Sequence, residues 1–131
     1  MDLIIVLLMA CIGAAILFIA VKITIWVETP VIVKSGITAN KKYIAAINSI
    51  TNTVFNSVLL VFLFFSLFRD TSLAIVWSVL GELILIPLVE ILAYKKVSKV
   101  PLKRIIIFTY IANFLSFAVG LIIGYLVQGI R

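Results

Sequence analysis

Four apolar runs, each of a length that can cross a lipid bilayer, take up most of this 131-residue chain. About 20 apolar residues in helical form span the hydrocarbon layer. The runs extend from about Leu3 to Val27, Tyr43 to Phe68, Ser72 to Tyr94 and Leu102 to Val127. A soluble domain of this size cannot hide them, since 65% of the residues are hydrophobic and 12% charged, against about 45–50% apolar and about 25% charged in soluble proteins. The implied fold class is all-α: a polytopic membrane protein with four transmembrane helices in an antiparallel bundle, one transmembrane domain over residues 1–131. Helix packs against helix inside, and the lipid bilayer is the partner outside.

Punctuation between the runs supports these bounds. Glu28, Thr29 and Pro30 close the first helix, because a proline disfavours helical backbone in the residue before it. Arg69, Asp70 and Thr71 form a turn so short that the second and third helices must be antiparallel neighbours, with Asp70 or Thr71 as helix cap. Pro101 suits the first turn of the fourth helix. The longest connection, residues 28–42, contains Val31, Ile32 and Val33 and reads either as a plain surface loop or as an extended segment in the membrane interface. Residues Leu8 to Cys11 resemble a lipoprotein cleavage box, but Asp2 replaces a basic patch and the apolar run continues past Cys11, so an uncleaved first helix is expected.

Basic residues set the orientation. The net charge of +6 is spread over short connections and forms no groove or helix face, so it does not suggest nucleic acid. With four crossings, one side collects Lys34, Lys41, Lys42, Lys95, Lys96, Lys99, Lys103 and Arg104, and the other only Arg69 and Arg131. The positive-inside rule then places the protein in the cell membrane with both termini outside and both longer connections in the cytoplasm. Trp26, Tyr43 and Tyr94 fall at the cytoplasmic interface, and Trp77 and Tyr125 toward the outer one.

The third run is the one with acids in it. At about 1.5 Å per residue, Glu82 lies roughly 18 Å from the Tyr94 end, and Asn56 roughly 20 Å from the Tyr43 end of the neighbouring helix. Asn52, Asn113 and Ser116 fall at similar depths, so Glu82, Asn52, Asn56, Asn113 and Ser116 form a candidate intramembrane polar or ion site. An acid near the bilayer centre opposes insertion by about 2.5–3.5 kcal/mol; two or three helix–helix contacts of about 0.6–2 kcal/mol each, or protonation, offset that. Glu90 is only about 6 Å from its helix end, at the depth of Lys22, which makes Lys22 and Glu90 a candidate ion pair. Helical periodicity puts Asn48, Thr51, Asn52, Phe55 and Asn56 on one stripe and Thr109, Asn113, Ser116, Gly120 and Gly124 on another. A third face carries Ser78, Gly81, Glu82, Leu85, Val89 and Ala93. Gly81, Gly120 and Gly124 are the expected helix-packing positions, more for internal packing than for a homo-oligomer.

Catalytic parts are missing from the sequence. It has no histidine and a single cysteine, Cys11, so no metal site and no disulfide is expected. A nucleophile with its base and a phosphate cradle are equally lacking. The expectation is no enzyme activity and no cofactor.

The succession Asn48, Thr51, Asn52, Asn56, then Glu82, Glu90, Tyr94, then Ala112, Asn113, Ser116 and Gly120 resembles small uncharacterised four-helix integral membrane proteins of bacteria and archaea. It covers about the last two thirds of the chain, with Thr53 where similar sequences often have a proline. The resemblance implies a helical membrane protein and no activity. The first functional expectation is therefore a non-enzymatic subunit or accessory component of a larger membrane complex, with protein partner subunits. The alternative is a small transporter or ion-conducting protein that uses Glu82 as a proton or cation site.

Overall fold

The computed structural model describes residues 3–64 and 71–129. Its elements are α1 (Leu3–Lys34), α2 (Lys41–Phe64), α3 (Thr71–Leu80), a π-helical turn (Gly81–Leu85), α4 (Ile86–Val97) and α5 (Leu102–Gly129). Leu80 and Ile86, on either side of the π turn, keep right-handed helical backbone angles. Thus α3, the π turn and α4 form one continuous helix, and the described chain is four helices. Three segments, Leu3–Lys34, Ile75–Val97 and Leu102–Gly129, are long and apolar enough to cross a membrane. Arg69 and Asp70, and with them the short turn and its expected cap, lie outside the residues whose structure is described, as does Arg131; Thr71 opens α3.

α1 does not stop before Pro30 but runs through it to Lys34. A proline inside a helix forfeits a hydrogen bond and crowds the preceding turn, at about 3 kcal/mol. Here Pro30 faces outward, and continuing the helix brings Ile32 and Glu28, one turn apart, into full burial. Burying an isoleucine side chain returns about 1.5–3 kcal/mol, enough to offset most of that penalty. The connection expected over 28–42 therefore shrinks to residues 35–40. Ser35 Oγ donates to the Ile32 carbonyl at 2.7 Å, and Gly36 takes the left-handed backbone (φ 77°) that ends many helices. Asn40 then caps α2, its Oδ1 accepting from the Tyr43 N–H at 3.1 Å.

The core sits at one end of the molecule. Ile32, Ile37, Ile44, Ile91, Tyr94, Ile105 and Ala112 form one buried cluster, with Val100 packed against it. Ile37 belongs to the α1–α2 connection and Val100 to the α4–α5 connection, so both lie at this same end. α1 packs on α5 and α2, and α4 on α5 and α2. The other end is open: residues 3–5 and 7–12 of α1 and 120–129 of α5 are exposed along their apolar length. Tyr94 is fully buried, its ring 6.4 Å from that of Tyr43; it is a core residue and not an interfacial anchor. Trp26 and Tyr125 are 77% and 78% exposed.

Candidate functional site

Nine polar side chains are buried among the described residues, and eight of them, all but Ser35, line the contacts between helices: Glu28, Asn48, Thr51, Asn52, Glu90, Thr109, Asn113 and Ser116. The α2 and α5 stripes supply most of them through their helical repeat. Glu90 and Glu28 are the two acids at the centre, and neither was the acid expected there.

Glu90 replaces Glu82 because of the π turn. Pro87 lacks an N–H, so the helix cannot form its regular bond there, and Gly81 O instead accepts from the Ile86 N–H, five residues on. The extra residue shifts the inward face. Where an uninterrupted helix would bury Leu85 and Val89, this one buries Ile86, Pro87, Glu90, Ile91 and Tyr94 and leaves Leu85 and Val89 exposed. At Gly81 the π turn lies directly against α2, since a Cβ there would fall inside the ring of Phe55. That ring stacks on Trp77 at 5.9 Å and 10°.

Glu90 is fully buried and uses both oxygens. Thr51 Oγ1 is 3.1 Å from Oε1, and Asn113 Nδ2 donates to Oε2 at 2.7 Å. Glu28, also fully buried, has Ser116 Oγ 2.8 Å from Oε1, while its Oε2 makes no hydrogen bond. The Asn48 amide lies beside Glu28 without reaching hydrogen-bond geometry, and its Oδ1 accepts from Tyr94 Oη at 3.4 Å. The two carboxyls share one buried polar layer, since their partners Asn113 and Ser116 are three residues apart on α5. Every lysine and Arg104 is exposed, and the hydrogen-bond partners of both acids are neutral.

A proton count at this cluster has a chemical consequence. Thr51 has one hydroxyl proton and, besides Glu90, finds the Ile47 carbonyl at 3.0 Å and the Asn48 carbonyl at 3.4 Å. Ser116 has one proton and finds the Asn113 carbonyl at 3.0 Å besides Glu28. Each hydroxyl can donate to an ionised carboxylate, or turn to its own helix and accept from a protonated carboxyl. The same heavy-atom positions serve both states. Such a cluster can take up or release protons without rearranging.

The other expected residues divide. Glu82 is half-buried and bonds to neither Asn56 nor Asn113; it shares a cleft with Asn56 and Ser116 on the open side. Asn52 and Asn56 donate to the carbonyls of Asn48 and Asn52 at 2.9 and 2.8 Å. Lys22 and Glu90 do not pair: Lys22 is exposed with Nζ 5.3 Å from the Phe18 ring centroid, because the longer α1 puts it twelve residues from its helix end and on the outer face. Gly120 and Gly124 pack on no described neighbour, since a Cβ at either would meet nothing within 4 Å. Among the described residues no three His, Cys, Asp or Glu side chains converge as metal ligands. Glu28 is the residue missed by reading the sequence; the signal for it was the apolar Val31, Ile32 and Val33 beyond Pro30, which extend the helix and carry Glu28 inside.

Compared with protein-family models, with curated proteins and with solved structures, the chain matches none.

Proposed function

We propose that this chain is a multi-pass protein of the cell membrane, non-enzymatic, that binds and passes protons or small cations through its buried carboxyls: a small transporter or ion-conducting unit. Four helices cross the bilayer as an antiparallel bundle, with both termini outside and the lysine-rich connections in the cytoplasm. The observation that carries the reading is the burial of Glu28 and Glu90 against hydroxyls that have a second acceptor for their proton. Ionisable groups inside membrane helices mark ion pathways and proton relays, and among the described residues no basic side chain pairs with them. Relative to the expectation from sequence, the working acids move from Glu82 to Glu28 and Glu90.

The test is proton flux into liposomes containing the purified chain and an internal pH dye. Glu90→Gln and Glu28→Gln each lower the flux at least tenfold with the helical content kept, while Lys22→Ala leaves it unchanged. Wild-type liposomes that conduct no better than empty ones, with correctly folded protein, overturn the proposal.

A second reading, an accessory subunit of a larger membrane complex, is favoured by the exposed outer halves of α1 and α5 and by the open Gly120 and Gly124 positions. It requires a protein that stays bound to the native chain through purification in mild detergent.

A further inference from the structure

The cleft on the open side of the molecule is a different place from the buried carboxyl pair, and its chemistry is of another kind. It holds about 380 Å³, within the range of small-molecule sites, about 300–1,000 Å³. Walls come from α1, α2, the end of α3 with the π turn, and α5: aliphatic side chains such as Ile16 and Ile23, and the rings of Phe55 and Phe117. Glu82 lines this wall, and its carboxyl takes part in no hydrogen bond to a described residue. Among the described residues no lysine or arginine lines the cleft. Gly120 and Gly124 edge it, and the space above them is open to 4 Å.

The geometry points to a binding site for an organic cation with a large apolar body, held by Glu82 and enclosed by Phe55, Phe117 and the aliphatic walls. An anion meets an unneutralised carboxyl in an apolar setting and is rejected. A neutral apolar molecule gains from the walls but leaves the carboxyl without a partner. A lipophilic cation satisfies both, because its charge neutralises Glu82, its body displaces lipid from the walls, and aromatic faces attract cations within about 6 Å of the ring centroid. Ser116 belongs to both places: it lines the cleft and lies 2.8 Å from Glu28 Oε1. Occupancy of the cleft and the proton state of Glu28 therefore act on one hydroxyl. The use of the site in transport rests on the proton reading above; binding itself does not.

Titration of tetraphenylphosphonium into the full chain in nanodiscs of zwitterionic lipid tests the inference. The expected result is saturable binding at one site per chain, weakened at least tenfold by Glu82→Gln, left within twofold by Lys22→Ala on the exposed outer face of α1, and not competed by the uncharged tetraphenylsilane. Gly120→Leu provides a second variant that fills the cleft from an unobstructed helix position, and it abolishes binding while the helical content stays that of the wild type. Absence of saturable binding, equal binding by Glu82→Gln, or equal competition by tetraphenylsilane, which would make the cleft a groove for lipid chains only, overturns the inference. Proton flux that persists without tetraphenylphosphonium binding removes the cleft site and leaves the carboxyl pair standing. Binding without any flux does the reverse.

Discussion

Thr51 and Ser116 are small side chains on which the buried acids depend. Serine and threonine inside helices often bond back to their own helix carbonyls, and both have that option here. What sets them apart is a carboxyl oxygen at equal reach, on α4 for Thr51 and on α1 for Ser116. Ser116→Ala leaves the buried Glu28 without a hydrogen-bond partner, because its Oε2 already has none. Leaving a buried polar group unsatisfied costs about 1–3 kcal/mol, so this variant should melt lower in detergent by that amount, as read from circular dichroism. An unchanged midpoint would mean that Glu28 is not held by Ser116. Asn113 is placed differently, since its Nδ2 has both Glu90 Oε2 and the Thr109 carbonyl within 3.0 Å. It ties α5 to α4 in either protonation state.

At the scale of the helices, two prolines have opposite effects. Pro30 sits inside α1 on the outer face and the helix absorbs it; Pro87 follows a π turn that rotates the inward face of everything after it. Neither outcome could be read from the residue alone. Hydropathy and periodicity made the four helices legible, three of them long and apolar enough to cross a membrane, and also the α2 and α5 stripes, since Asn48, Thr51, Asn52, Thr109, Asn113 and Ser116 are all buried. They failed where the helical period itself changes. Counting 3.6 residues per turn through Gly81–Leu85 keeps Glu82 inside and Glu90 at the side, and the extra residue of the π turn reverses the two. Ending α1 before Pro30 likewise removed Glu28 from consideration and left Lys22 too near the helix end. Gly81 was found by its small size and is needed for it; Gly120 and Gly124, chosen on the same ground, face open space. If α1 is continuous through Pro30, then Pro30→Ala, which restores an N–H and removes the ring, should stabilise the protein by up to about 3 kcal/mol. A lower melting midpoint for this variant would argue for a real break between Glu28 and Lys34.

At the scale of the whole molecule, the packed core and all the lysines but Lys22 share one end, while exposed apolar surface of α1 and α5 marks the other. With the proposed orientation, the closed half faces the cytoplasm and the other half opens to lipid or to the outside. In a Cys11→Ser background, Arg131→Cys in intact cells should react with a thiol reagent that cannot cross membranes, and Val97→Cys should not; the inverse labelling would reverse the orientation. The central claim is that Glu28 and Glu90 exchange protons inside this closed half. Infrared difference spectroscopy of the protein in lipid, stepped between acidic and alkaline buffer, observes it directly through the carbonyl stretch of protonated carboxyls. The expected spectrum contains two pH-sensitive carboxyl bands, one lost in Glu28→Gln and the other in Glu90→Gln. Bands that ignore the pH step, or that survive both substitutions, would contradict the claim and leave the two acids as fixed packing groups.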